Sequence, residues 1–152
     1  MQISFGKHSG KLAEEVAVRN GSYVKWVFGQ SDAGAGLSRL CTELQRLVGK
    51  LDAKPIVGKC HGHNCSNQPV RFTAYWNNDS SLFSWCETCD PYSAGALQGK
   101  LYEFRSYGDA LSHVELRCGG TQAGYDRMAR SLAEKKGLPN RVGAAVAKKF
   151  FS

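Results

Sequence analysis

Long apolar runs are missing from this sequence. None approaches the roughly 20 residues that cross a bilayer, so no membrane association is expected. The opening MQISFGKHSG lacks the apolar stretch of an export signal, and a cytoplasmic location is the expectation. Internal repeats and low-complexity tracts are also absent, which sets aside solenoid arrays and compositionally biased chains. Acidic residues are scarce at both ends. Residues 1–59 hold 9 Lys/Arg against 5 Asp/Glu, and residues 121–152 hold 7 against 2. The middle reverses the balance, with 4 against 6 in residues 60–120.

What remains is a chain of 152 residues, 42% apolar and 22% charged, with a net charge of +7. That is the composition of a globular protein with one compact domain or two small modules. A basic excess confined to the flanks suits a polyanionic partner gripped there, although solubility alone also accounts for a charge of this size.

Helical periodicity dominates both flanks. A short helix with acidic residues in its first turn is expected at residues 12–16. Asn20-Gly21 breaks it, and Ser22 is the expected N-cap of a second helix carrying Tyr23, Trp26 and Val27. Leu37, Leu40, Cys41, Leu44, Leu47, Val48 and Leu51 recur at helical spacing, with Cys41 as a small hydrophobe on the stripe. Thr121 can cap a helix to Lys136, stopped by Gly137 and Pro139. A shorter helix is expected over residues 109–116, and a last one from Asn140 carries Val142, Val146 and Phe150 on one face. Linkers are expected at residues 29–36 and 52–59.

The middle reads differently. Residues 70–76 and 82–85 predict two strands joined by the turn Asn77-Asn78-Asp79-Ser80, and residues 101–107 a third. The fold class is therefore α+β. A small helical N-terminal segment (residues 1–54) precedes a four-cysteine module (55–107) and a basic helical C-terminal tail (108–152).

Cys60-x4-Cys65 is followed, after 20 residues, by Cys86-x2-Cys89. Paired cysteines at such spacing are metal ligands more often than disulfides where the compartment is reducing. Two tight turns, the first eased by Gly62 and Asn64, can each supply half of a tetrahedral sulfur shell. The expectation is one structural Zn²⁺ held by Cys60, Cys65, Cys86 and Cys89, in a closed shell that does no chemistry. Asp90-Pro91 can begin a helix, which would make the module a treble clef; a strand there would make it a zinc ribbon. His61 and His63 are alternative ligands, more simply read as exposed turn residues. Cys118 lies outside the motif as a free core thiol.

At the N-terminus, Phe5, Gly6, Lys7, Gly10, Lys11, Tyr23 and Trp26 form a phenylalanine-glycine-lysine turn, a second glycine-lysine pair, and a tyrosine and tryptophan three apart. Over about the first 50 residues this resembles the exodeoxyribonuclease X C-terminal-like family. The resemblance implies a DNA-processing context without implying catalysis, since the acidic residues of the associated nuclease domain are lacking. Backbone amides around Gly6 and Gly10, with Lys7, His8 and Lys11, could also form an anion nest. Tyr23 and Trp26, beside Val24 and Val27, are expected in the core.

The functional expectation is a zinc-stabilised nucleic-acid-binding accessory protein, with DNA favoured over RNA as its ligand. Phosphate contacts are expected from Lys7, Lys11, Lys25, Arg127, Arg130, Lys135, Lys136, Arg141, Lys148 and Lys149. A protein-interaction adaptor in a DNA-handling or phage-related complex is the second reading. A metal nuclease working through His61, His63 and Asn64 is the third, weakened because no histidine stands between Cys89 and His113.

Overall fold

The computed structural model describes residues 1–97 and 99–152. Among these residues, six helices and a three-stranded antiparallel sheet make a mixed α+β fold. Among the described residues, no helix is long and apolar enough to cross a membrane.

The chain opens with a tight loop. Ile3 N–H donates to Lys11 O at 2.8 Å, and Gly10 N–H to Ile3 O at 2.7 Å. Closing so short a loop needs left-handed backbone at Gly6 and Gly10, whose φ angles are 72° and 89°. Helix α1 (Ala13–Arg19) follows, with Glu15 accepting from Leu12 N–H at 3.2 Å. Helix α2 (Gly21–Phe28) has Asn20 rather than Ser22 at its N-cap position, with no side-chain cap bond from it. Ser22 sits inside the helix, its N–H and hydroxyl both donating to Asp126 Oδ1, at 3.0 and 2.7 Å. A carboxylate from a distant helix thus satisfies a free amide of α2 and places its negative charge at the positive end of the helix dipole. Helix α3 (Ala35–Ala53) buries Leu40, Leu44, Leu47 and Leu51, as the stripe predicts. Each such leucine contributes about 1.5–3 kcal/mol of transfer free energy.

Strands β1 (Arg71–Tyr75), β2 (Phe83–Trp85) and β3 (Leu101–Phe104) are ordered β2-β1-β3. Period-two alternation gives the sheet two faces. Phe72, Ala74 and Phe104 join the main core, while Trp85 and Phe83 pack with the cysteines. Trp85 Nε1–H donates to Thr73 Oγ1 across the strands at 2.7 Å. The third strand ends at Phe104, three residues before the expected limit. Ser106 then caps helix α4 (Tyr107–Arg117), accepting from Asp109 N–H at 3.1 Å, so that helix starts two residues early.

Helix α5 (Gln122–Lys135) begins as expected, with Thr121 Oγ1 accepting from Gly124 N–H at 3.0 Å. Helix α6 (Ala144–Phe150) starts four residues after the expected Asn140. The helices that precede the sheet in the chain pack with those that follow it: α1 lies against α2, α3, α5 and α6, and α5 against α2 and α4. Val16, Val24, Leu44, Leu47, Val114, Met128 and Leu132 all belong to one apolar cluster. Tyr107 bolts the two halves, its N–H donating to Asp52 Oδ1 and its hydroxyl to Ala17 O, both at 2.8 Å. The segments expected at 1–54 and 108–152 therefore share a core. Cys41 and Cys118 are partly buried against it.

Candidate metal centre

Cys60 and Cys65 stand on the loop preceding β1, and Cys86 and Cys89 follow the end of β2. The β1–β2 pairing carries the second pair to the first. In that register Arg71 lies opposite Trp85, and His61 N–H donates to Ser84 O at 2.9 Å. All four sulfurs lie within 4.8 Å of one another. Cys65 Sγ and Cys86 Sγ are 3.8 Å apart. A tetrahedron with metal–sulfur bonds of about 2.3 Å has edges of about 3.8 Å, so this separation is that of two ligands on one ion. All six cysteines are free thiols.

Backbone amides are aimed at the first two sulfurs. Gly62 N–H and Cys86 N–H point at Cys60 Sγ from 3.3 and 3.2 Å, and Asn67 N–H at Cys65 Sγ from 3.4 Å. Asn64 takes a left-handed φ of 52°, which an asparagine tolerates, and turns the first pair inward. The Thr88 hydroxyl and amide bring Cys86 down to about 5. Sharing protons with Cys86 and Cys65 pushes Cys89 up to about 12. Four thiolates this close repel one another, so full ionisation requires a cation among them. Arg71 braces the second pair from β1: its Nε–H donates to Cys86 O at 3.0 Å, and its guanidinium also reaches Cys89 O and the Glu103 carboxylate.

No histidine belongs to the four-sulfur set. His61 is instead paired with β2. Its Nδ1 stands 3.0 Å from Ser84 N and its ring lies edge-on to Phe83. His63 is exposed. The helix expected after Cys89 does not form. Asp90 accepts from Tyr92 N–H and the Ser93 hydroxyl at 3.0 and 3.1 Å, closing a turn over residues 91–95 that Gly95 ends at φ 102°. Among the described residues the next regular element is β3, the order that the ribbon reading expects.

The ten cations expected to contact phosphates fall into distinct settings. Lys7, Lys11, Arg141, Lys148 and Lys149 are exposed and make no ion pair among the described residues. Lys25 pairs with Glu115 at 3.0 Å, Arg127 chelates Asp79 at 2.8–2.9 Å, and Arg130 holds Glu134 at 2.9 Å. Lys135 is half-buried. Lys136 does not fit the expectation. It is only 8% exposed, and its ammonium donates to Asp52 O and Lys54 O at 3.1 and 2.6 Å. Burial lowers its pKa, and the carbonyls at the end of α3 take the protons a phosphate would need.

Trp26 also departs from expectation. Tyr23 is buried at 7% exposure, but Trp26 is 50% exposed and lies against the Tyr23 ring at 5.6 Å. Spacing puts both on one side of α2, and the N-terminal loop packs on the first, with the His8 ring 4.4 Å from that of Tyr23.

The fold and cluster together define a small α+β protein carrying a four-cysteine metal-type site. No protein-family profile, curated protein or solved structure matches the chain.

Proposed function

We propose that the chain is a zinc-stabilised nucleic-acid-binding accessory protein. The observation that carries the metal half is the convergence of four thiol sulfurs within 4.8 Å of one another, which offers four soft ligands to one ion. Zinc and iron both accept such a shell; zinc needs no redox partner and serves as a structural tie. The nucleic-acid half rests on the net charge of +7 and on five exposed cations without carboxylate partners. The N-terminal turn, with its resemblance to a family found in DNA-processing proteins, supports the same reading. Phosphate contacts fall to Lys7, Lys11, Arg141, Lys148 and Lys149, with Lys25, Arg127 and Arg130 able to exchange partners at the surface.

Elemental analysis of purified protein should return one zinc per chain and no visible absorption from iron–thiolate charge transfer. Mobility shifts with duplex and single-stranded DNA should weaken steeply as salt rises, because bound cations release counterions. Failure to bind either in low salt would sink the nucleic-acid reading and leave the metal reading intact.

A further inference from the structure

Beside α2 the surface opens into a cleft of about 560 Å³, within the range of about 300–1,000 Å³ typical of small-molecule sites. Its walls are aromatic: Phe5 from the N-terminal turn, Tyr23 and Trp26 from α2, and Tyr125 from α5. Lys7 and Gln122 stand among its lining residues. The floor is kept open at Gly120. That residue and Gly119 take left-handed φ angles of 62° and 84°, and a Cβ on Gly120 would stand 3.3 Å from the Tyr125 hydroxyl.

Charge decides what such a cleft can hold. Aromatic walls alone would suit a quaternary ammonium or methylated lysine, but no carboxylate lines the cleft. Ammonium groups approach instead. Lys7 Nζ lies 6.0 Å from the centre of the Tyr23 ring, and Lys25 Nζ lies 5.6 Å from that of Tyr125 while pairing with Glu115. Beneath Tyr23, the buried His8 ring packs at 4.4 Å with both nitrogens unpartnered among the described residues. Burial, Lys11 and Lys7 lower its pKa, while the Asp126 carboxylate held by Ser22 behind the wall raises it, so the positive charge on the cleft lining itself is that of Lys7. An occupant should therefore present a planar apolar face and a negative charge.

The structure assigns to this cleft a nucleotide site, in which one base packs against Trp26 and Tyr23 and its phosphate lies toward Lys7. The assignment rests on the nucleic-acid reading and gives it a preference: an unpaired base can enter and a stacked one cannot. The nucleotide can come from a single strand or be free, and the shared chemistry is an aromatic base bearing a phosphate. Stacking on an aromatic side chain is sequence-tolerant.

The test compares wild type, Trp26→Ala and Trp26→Phe. Three ligands are used: a labelled oligothymidylate, a duplex of the same length, and thymidine monophosphate competing for the cleft or quenching Trp26 fluorescence. Trp26 is half exposed, and α2 packs inward through Tyr23, Val24 and Val27, so both variants should fold. Wild type should prefer the single strand. Trp26→Ala should lose roughly tenfold in single-strand affinity with its salt slope unchanged, and Trp26→Phe should keep most of it. Salt-dependent binding that ignores both Trp26 variants and the mononucleotide would overturn the pocket and leave the nucleic-acid reading standing. Mononucleotide binding at Trp26 without binding to either polymer would keep the pocket and overturn that reading. No response to any of the three ligands would overturn both.

Discussion

A β-carbon on Gly62 would stand 2.4 Å from Cys89 Sγ and 3.1 Å from its Cβ. The backbone between the first two cysteines is therefore packed directly against the last one. Gly62 is there for space rather than for an unusual φ, unlike the glycines of the N-terminal turn. Gly62→Ala should push Cys89 out of the tetrahedron and weaken metal binding roughly 10- to 100-fold, as other losses of ligand support do. Competition with a chromogenic chelator measures this. An unchanged affinity would mean the cysteines close on the metal by another route.

The sulfur cluster and the helical core are separate. Cys60, Trp85 and Cys86 form their own small apolar group, apart from the helices. Stripping the metal with a chelator, or replacing Cys60 with Ser, should alter Trp85 fluorescence and loosen the sheet end. Far-ultraviolet helical ellipticity should be largely retained. A cooperative loss of helix on chelation would show instead that the metal holds the whole fold.

Lys136 and the α6 lysines should separate stability from binding. Lys136→Met leaves the Asp52 and Lys54 carbonyls without their donor and should cost about 1–3 kcal/mol in urea unfolding. Its effect on the salt slope of DNA binding should be nil. The double variant Lys148→Ala, Lys149→Ala should instead flatten that slope by up to about 2 for duplex and leave stability nearly unchanged. A flattened slope in Lys136→Met would show that its ammonium leaves the α3 carbonyls to reach phosphate.

His113 lies buried at 1% exposure, its Nε2 3.0 Å from Asn78 O and its ring stacked on Phe104. Burial first, with the charge of Arg117 behind it, holds its pKa below the ordinary value against the hydrogen bond to Asn78, which raises it. The unfolded chain then takes up this proton before the folded one does. His113 should weaken the fold as pH drops through about 6.5, and its contribution should be intact above that. A nuclear magnetic resonance titration should place its midpoint under the free-histidine value. A midpoint at or above that value would mean the folded core accepts the charge.

Gly21 sits where α2 crosses α5. A Cβ there would meet Tyr125 O at 2.4 Å and Ala129 Cβ at 2.9 Å. Gly21→Ala should improve local helix propensity yet destabilise the protein by about 1–3 kcal/mol, because overpacking outweighs propensity at a contact this tight. A raised midpoint of thermal unfolding would contradict the close approach.

Much of this was legible in local pattern. The leucine stripe of α3, the Thr121 cap of α5 and each of the two cysteine pairs depend on spacing within a few residues of chain, and spacing is what a sequence displays. One error arose because the deciding partner is distant, the other because a local turn competes with a helix. Ser22 looks like a cap but serves Asp126, 104 residues away. Asp90-Pro91 looks like a helix start, yet Asp90 closes a turn with Tyr92 and Ser93 and the chain continues into β3. Exposure was similarly hidden. Lys136 and Lys149 are both lysines at helix ends, and only the carbonyls of α3 make one of them unavailable.

The sequence by itself determined which side chains could hold a metal, where charge accumulates and which segments are helical, since these follow from residue chemistry and short-range periodicity. Tertiary structure alone decided that the two basic flanks meet in one core, that Lys136 is withdrawn from solvent, and that Trp26 faces a cleft instead of the interior. Those outcomes depend on contacts between residues far apart in the chain, whose free energy appears only when helices from both ends are packed against each other.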